Sequence, residues 1–140
     1  MASMLLRFAF GLWVSLGLAC ACDCVQLPSR QAERAAEIVF QGTVVALRDS
    51  GTGYPIAVFK VSRVWKGHVS ETFEMPARKE VFGCIGFIPT VEVGAEFLVY
   101  AYRLVPSDHE YLPQPCQTDL VRRAAKQLQD LGDGQKPKSK

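Results

Sequence analysis

Residues 37–66 read EIVFQGTVVALRDSGTGYPIAVFKVSRVWK, and this stretch decides the fold class. Glu37 to Arg48 is rich in valine and isoleucine and is predicted to be a strand, in which Gly42 marks a bulge or the bend of a small barrel. Ile56 to Trp65 alternates between apolar and polar residues, as a half-buried strand does. The alternation places these residues on one face: Ala57, Phe59, Val61 and Trp65. Residues 49–55 hold two glycines and a proline, so the two strands are predicted to form a hairpin.

Three more strands are predicted downstream. After a turn at Lys66-Gly67-His68, a strand runs from Val69 to Met75. Glu96 to Leu104 is an almost unbroken apolar run, which is typical of a strand buried on both faces. A short strand around Glu110 to Leu112 is predicted to pair back onto it.

Two helices are predicted to flank the sheet. Ser29, preceded by Pro28, is expected to cap a short helix that runs through Glu37. Thr118 is expected to cap a longer helix that ends at Gly132. The apolar face of this helix would consist of Leu120, Val121, Ala124, Leu128 and Leu131. Five short strands with helices at the edges predict a mainly β fold, α+β by content, in the form of a five-stranded OB-type barrel that is closed or half-closed.

The N-terminal residues have the pattern of a secretory leader. Met1 to Arg7 carries one basic side chain, and Phe8 to Leu18 is an apolar run too short to cross a bilayer comfortably. Ala19-Cys20-Ala21 has the small-x-small shape that signal peptidases cut. We therefore expect a signal peptide over residues 1–21, one domain over 22–132 and a flexible basic tail over 133–140. The protein would be secreted to an extracellular or periplasmic space.

Cleavage before Cys22 also gives an even number of cysteines. Cys20 would leave with the leader, and an odd thiol is a liability in an oxidising compartment. The alternative is a lipoprotein with an acylated first cysteine. Gly17-Leu18-Ala19-Cys20 matches that pattern poorly, because a large aliphatic residue is expected three positions before the cysteine.

Composition and motifs argue against several function classes. The chain has 16 basic and 14 acidic side chains, so no nucleic-acid surface is indicated. It has no Gly-x-Ser-x-Gly elbow, no His-Glu-x-x-His and no phosphate-cradling glycine loop, so we expect no enzyme and no cofactor. His68 and His109 lack the spacing of a metal site and are predicted to be solvated. We expect a monomer with no transmembrane span in the mature chain.

The four remaining cysteines allow three disulfide pairings. A bond between Cys22 and Cys24 would close a strained ring of a few residues. Two pairings stay open: Cys22–Cys84 with Cys24–Cys116, or the crossed arrangement.

Cys22-Asp23-Cys24 directly follows the predicted leader, and this start resembles the N-terminal, netrin-like domain of the tissue inhibitors of metalloproteinases. Further segments resemble the same domain: Ala36 to Gly42, Val61 to Gly67, Gly83 to Phe87, Val93 to Val99 and Cys116-Gln117-Thr118. The resemblance spans Cys22 to Asp130 and implies an OB-type barrel. It also implies the parallel pairing Cys22–Cys84 and Cys24–Cys116. One further early cysteine of the family and the inhibitors' C-terminal subdomain have no counterpart, which implies a minimal single-domain relative.

The resemblance implies that the protein inhibits a zinc metalloprotease. In those inhibitors the α-amine and carbonyl oxygen of the first residue, here Cys22, bind the zinc of the target protease and displace its water. Cys24 to Leu27 and the loop around Cys84 would form the ridge beside this ligand.

Asp23 departs from the family pattern. The second residue is usually a small one that enters the main specificity pocket of the protease. Burying an unpaired carboxylate in an apolar pocket costs several kcal/mol, so Asp23 argues against inhibition of a typical matrix protease. A target with a basic pocket would reverse this argument, because Asp23 would then gain a partner. The alternative is a non-inhibitory netrin-like interaction module, in which the cysteines only staple the N-terminus to the barrel. A third form, lipid-anchored through its first cysteine, would have no free amine for chelation.

Overall fold

The computed structural model describes residues 25–77, 80–81, 84–85, 91–103, 105, 110–114 and 116–139. These residues form a six-stranded antiparallel sheet, a two-stranded sheet and two short helices. The helices are α1 (Ser29–Ala35) and α2 (Ala125–Leu131). The strands are β1 (Ile38–Arg48), β2 (Ile56–Lys66), β3 (Thr72–Pro76), β4 (Glu80–Val81), β5 (Cys84–Ile85), β6 (Glu96–Tyr102), β7 (Leu112–Pro113) and β8 (Asp119–Leu120). The predicted mainly β fold with two helices is confirmed.

The large sheet has the order β3-β2-β1-β6-β7, and β8 pairs with the first half of β6. The predicted hairpin of β1 and β2 is confirmed, and the backbone N–H of Gly51 in its loop donates to Asp49 Oδ1 at 2.9 Å. The number of strands differs from the prediction, because six strands rather than five join this sheet and β4 pairs only with β5. No hydrogen-bonded pairing between the edge strands β3 and β7 is present in the described part of the chain, so the sheet is not closed.

Bulges change which face the β2 side chains occupy. The β1–β2 register shifts between Gln41 and Gly42, where the sequence predicted a bulge, and Ser62 is the extra residue on β2. Val61 and Val64 consequently face the same side. The prediction that Trp65 shares the face of Val61 is wrong, because the bulged strand turns the Trp65 side chain to the opposite face.

One face of the curved sheet buries an apolar cluster that we call the sheet core. Its aromatic rings form a connected series, with centroids 5.3 Å apart for Phe40 and Phe73, 5.5 Å for Phe40 and Phe59, and 6.4 Å for Phe59 and Phe97. The Phe73 ring on β3 also lies 5.6 Å from Tyr111, which immediately precedes β7. The two edges of the sheet therefore meet through aromatic contacts, and such pairs add roughly 0.5–1.5 kcal/mol each beyond their buried area.

The opposite face of β1 and β6 is covered by the two helices, and we call this second cluster the helix core. It contains Ala32, Ala36, Val39, Leu98, Tyr100, Ala124 and Leu131. Residues of β6 alternate between the two cores, with Phe97, Val99 and Ala101 in the sheet core. The prediction that this strand is buried on both faces is confirmed. Burial raises the pKa of the Tyr100 phenol to about 12, so this side chain stays neutral and serves as a packing residue.

The predicted start of the second helix is wrong. Thr118 does not cap α2, which begins only at Ala125, although Gly132 follows its last residue as expected. Asp119 and Leu120 instead pair with Leu98 and Phe97 as β8. The edge of β6 exposes backbone N–H and C=O groups at these positions. If residues 119–120 were helical, those groups would have no hydrogen-bond partner.

The predicted boundaries of the first helix and the third strand also differ from the structure. α1 ends at Ala35, and Ser29 is its first residue, without a side-chain cap. The Ser29 hydroxyl instead donates to Asp130 Oδ2 on α2 at 3.0 Å. β3 begins at Thr72 rather than Val69, although Val69 is buried in the sheet core.

Candidate functional site

The predicted inhibitory residues Cys22, Asp23 and Cys24 lie outside the described residues. Their role and their bonds therefore stay predictions. The described chain begins at Val25, within the segment predicted to form the ridge beside the zinc ligand.

The segment that follows Cys24 is exposed at first and then anchored. The Val25 side chain is 69% exposed and Gln26 is exposed. Leu27 packs against the helix core, and the Pro28 carbonyl accepts hydrogen bonds from the backbone N–H groups of Gln31 and Ala32 at 2.8 and 2.9 Å. The segment is therefore solvent-exposed at Val25 and Gln26 and fixed to the fold from Leu27 onward.

Of the two predicted partner cysteines, Cys84 lies in a short strand and Cys116 lies in a turn. Cys84 belongs to β5, where it is paired with Val81 of β4. Cys116 is disulfide-bonded. Of the cysteine side chains, only that of Cys116 belongs to the described part of the chain, and the identity of its partner stays a prediction.

The turn that carries Cys116 is fixed to β6. Cys116 has a φ of 69°, a left-handed conformation that costs a non-glycine residue on the order of 1–3 kcal/mol. The Gln114 N–H donates to the Tyr100 carbonyl at 2.6 Å. The Thr118 hydroxyl bonds both the N–H and the carbonyl of Tyr100, each at 3.1 Å. Leu27 packs against the helix core to which Tyr100 belongs. Thus the Cys116 turn is hydrogen-bonded to Tyr100 of β6, and the N-terminal segment packs on the apolar cluster that includes this residue.

An ion pair that the sequence did not predict clamps the end of β6 to the start of β1. Arg103 donates to Glu37 Oε2 through Nε at 2.8 Å and Nη2 at 2.7 Å, and its backbone N–H donates to Oε1 at 3.0 Å. These hydrogen bonds from Arg103 hold the pKa of Glu37 below its usual range. The Arg103 guanidinium also lies 5.2 Å from the centroid of the Tyr111 ring.

Two open grooves lie at the ends of β6. One, of about 540 Å³, is lined by Ala35, Glu37, Tyr102, Arg103 and Gln114. The other, of about 730 Å³, is lined by residues 92–96 and 120–122, including the 61% exposed Val93. Among the described residues that line them, neither groove brings together a nucleophile and a base.

Within the described ranges, no three His, Cys, Asp or Glu side chains lie close enough together to hold a metal ion. His68 is exposed in a turn, as predicted, and His109 lies outside the described residues. Neither described helix has the length and apolar content needed to cross a membrane.

No protein-family model matches this chain, and a comparison with curated proteins finds no match.

Proposed function

We propose that this protein is a secreted inhibitor of a zinc metalloprotease, with Cys22 as the residue that binds the zinc of its target. The observation that carries the proposal is the sequence Cys22-Asp23-Cys24 directly after the predicted leader, together with a disulfide-bonded Cys116 at the spacing that the resemblance implies. The proposed fold is an OB-type barrel of the netrin-like class. The curved sheet supports it, because its edges meet at Phe73 and Tyr111.

The chemistry of the proposed site is that of a bidentate ligand. Catalytic zinc keeps an open coordination position, and an amine with its own carbonyl oxygen closes a five-membered chelate ring. Disulfides Cys22–Cys84 and Cys24–Cys116 would hold this segment rigid, which reduces the entropy lost on binding. The ligand is the neutral amine, whose ordinary pKa is about 7.7–8.0, so inhibition should weaken as the pH falls below that range.

Asp23 defines the kind of target. Its carboxylate would enter the main specificity pocket next to the zinc, where an unpaired charge is costly. We therefore propose a protease whose pocket holds an arginine or a lysine. Against such a target Asp23→Asn should weaken inhibition, whereas against a protease with an apolar pocket Asp23→Thr should strengthen it.

The decisive experiment compares the native protein with a variant that carries one extra alanine ahead of Cys22. Both forms are first checked by intact mass and by urea unfolding, and are then titrated against a panel of zinc metalloproteases. We expect stoichiometric inhibition by the native form and at least a hundredfold weaker inhibition by the extended form, since loss of the chelating amine removes a metal ligand. Inhibition that survives the extension would rule out chelation by Cys22.

The second candidate function is a non-inhibitory extracytoplasmic interaction module with the same fold, possible also in lipid-anchored form. The observation that favours it is Asp23, which an apolar protease pocket would exclude. A lack of inhibition by both forms across the panel would support this module. Added acyl mass on the mature chain would support the anchored form.

A further inference from the structure

The C-terminal segment, residues 132–138, pairs with two parts of the sheet. The Val64 N–H of β2 donates to the Gln135 carbonyl at 2.8 Å, and the Gln135 N–H donates to the Val64 carbonyl at 2.8 Å. Further along, Lys138 forms a parallel bridge with Ser70, which lies just ahead of β3. Two positions of the predicted tail over 133–140 are therefore paired with other parts of the chain.

The site for this segment arises where β2 extends beyond β3. β3 pairs with Ile56 to Lys60, which leaves the second half of β2 at the edge of the sheet. Such an edge presents backbone N–H and C=O groups with which another strand can pair. We call Val64, Trp65 and Ser70 the acceptor site.

The acceptor site requires glycine where the segment passes Trp65. A Cβ added to Gly134 would lie 3.1 Å from both Trp65 Cε2 and Arg63 Cβ. The Trp65 ring also packs against the helix core, and its indole N–H donates to the Gly132 carbonyl at 2.8 Å, so the ring is held in place. A residue larger than glycine at this position would displace either the ring or the segment.

Few contacts hold the C-terminal segment in the acceptor site. Among the described residues 133–139, only Gln135 exchanges backbone hydrogen bonds with β2, and none of them is buried. Alternate residues of an antiparallel strand form the ladder hydrogen bonds, so Pro137 stands where the segment would next donate to β2, and proline has no N–H. A segment with little buried surface and few hydrogen bonds opens locally at a small cost in free energy. A strand that pairs better can therefore replace it.

We propose that the acceptor site binds an extended peptide segment of another protein, which displaces the C-terminal segment. The partner carries a glycine at the position of Gly134 and a residue other than proline at the position of Pro137. Backbone hydrogen bonds to Val64 supply the affinity, and the narrow space beside Trp65 supplies the specificity, as in strand addition to a sheet edge. This interaction goes beyond the proposed inhibition and involves none of its predicted residues.

A second copy of the chain is a weaker occupant than such a partner. Its C-terminal segment has the same sequence as the one already in place, so an exchange adds no contact at the acceptor site. The segment in place is also covalently attached, which gives it an effective concentration on the order of millimolar. Only a strand with additional hydrogen bonds gains over it.

The test opens the acceptor site in the full chain and offers it a peptide. The probe is a fluorescein-labelled peptide with the sequence of residues 132–140 and the change Pro137→Ala, and a second peptide of equal charge also carries Gly134→Val. The protein variant is Gly134→Val, whose own segment no longer fits beside Trp65. The control variant is Ser139→Val, at an exposed position after the last bridge.

We expect the Gly134→Val protein to bind the probe at least tenfold more tightly than the native protein or Ser139→Val does, because a site occupied by its own segment is open for only a fraction of the time. The valine peptide should bind the Gly134→Val protein at least tenfold more weakly than the probe. In hydrogen exchange, the Val64 amide should lose protection in the Gly134→Val protein and regain it when the probe is bound. Urea unfolding verifies that both variants are folded.

Three outcomes would overturn the proposal: equal binding of the two peptides, no binding of the probe by the Gly134→Val protein, or native protection of the Val64 amide in that variant. A dimer of the native protein that is lost in Gly134→Val would assign the site to a second copy and overturn it as well. Both variants keep Cys22, so their protease inhibition should equal that of the native protein. A failure of the peptide proposal is therefore distinguishable from a failure of the inhibitor proposal.

Discussion

At the scale of single residues, Gly67 has the closest surroundings among the glycines that the structure describes. Its φ is 81°, and an added Cβ would lie 2.5 Å from Ile38 Cγ2 and 2.9 Å from the Glu37 carbonyl oxygen. We expect Gly67→Ala to lower the free energy of unfolding by about 2–4 kcal/mol, because the left-handed strain adds to the overlap with β1. Urea denaturation measures the loss.

The matched control for this substitution is Gly51→Ala in the hairpin loop. Gly51 has a similar φ of 70°, but nothing lies within 4 Å of its added Cβ. This variant should lose only about 1 kcal/mol. Equal losses at the two positions would contradict a role for the close contact at Gly67.

The Glu37–Arg103 ion pair predicts a dependence of stability on pH. Because Arg103 lowers the pKa of Glu37 in the folded protein, the pair stabilises the fold above the unfolded carboxyl pKa. That contribution is lost as the pH falls from about 5 through the unfolded and then the folded pKa. We expect the urea midpoint of the native protein to fall more steeply between about pH 5 and pH 3 than that of Glu37→Gln.

Glu33→Gln serves as the control for the pH experiment. Glu33 pairs with the exposed Arg30 on the same helix at 3.2 Å, and such surface pairs contribute little. Its pH profile should follow that of the native protein. Parallel profiles for native protein and Glu37→Gln would show that the pair with Arg103 does not contribute to acid sensitivity.

The turn at Gly67 and the ion pair at Glu37 differ in how far the sequence predicted them. The Lys66-Gly67-His68 pattern indicated a turn, because glycine is the residue that accepts a positive φ. The partner of Glu37 lies 66 positions away along the chain. The pairing of β1 with β6 brings the two side chains together. A local sequence pattern does not predict a contact between residues so far apart along the chain.

At the scale of elements, the edge of β6 that faces away from β1 is stabilised by two short strands and by hydrogen bonds from a turn. β7 pairs with Ala101 and Tyr102, and β8 pairs with Phe97 and Leu98. Between them, the Thr118 hydroxyl and the Gln114 N–H bond the backbone of Tyr100. A buried backbone group without a partner is costly, so Thr118 completes the ladder where neither strand reaches.

We expect Thr118→Val to destabilise the protein by about 1–3 kcal/mol, because the Tyr100 N–H would lose its acceptor in a buried position. Thr118→Ser keeps the hydroxyl and should lose less than half as much. Hydrogen exchange provides a second measurement, in which the Tyr100 amide should lose protection in the valine variant alone. Unchanged protection in that variant would refute the assigned role of Thr118.

Pairing with β6 also explains why the second helix was predicted to begin too early. Leu120, Val121, Ala124, Leu128 and Leu131 have helical spacing, but Leu120 belongs to the sheet core and Leu131 to the helix core. A periodic pattern does not distinguish one apolar face from two successive elements that bury their residues in different cores. The unpaired backbone groups of β6 favour a strand at residues 119–120 over a longer helix.

At the scale of the whole molecule, β1 and β6 contribute residues to both cores. The predicted disulfides link the N-terminal residues Cys22 and Cys24 to Cys84 and Cys116. Under the proposed pairing, Cys116→Ser and Cys24→Ser should each lower the free energy of unfolding by about 2–5 kcal/mol. The double variant should lose no more than either single variant, because both remove the same bond.

Peptide mapping without reduction tests this pairing directly. We expect one linked pair of peptides with Cys22 and Cys84, and another with Cys24 and Cys116. The intact mass should correspond to a chain that starts at Cys22 and lacks four hydrogens. A peptide that joins Cys22 to Cys116 would establish the crossed pairing instead.

By itself, the sequence determined the features that rest on local chemistry. The hairpin of residues 37–66, its Gly42 bulge, the turn at Gly67 and the doubly buried β6 all follow from side-chain alternation and backbone freedom. Only the tertiary structure decided the sixth strand, the face of Trp65, the partner of Glu37 and the pairing of Gln135 with Val64. Each of these depends on which open strand edge or core lies nearby, and that is set by contacts between residues far apart in the chain.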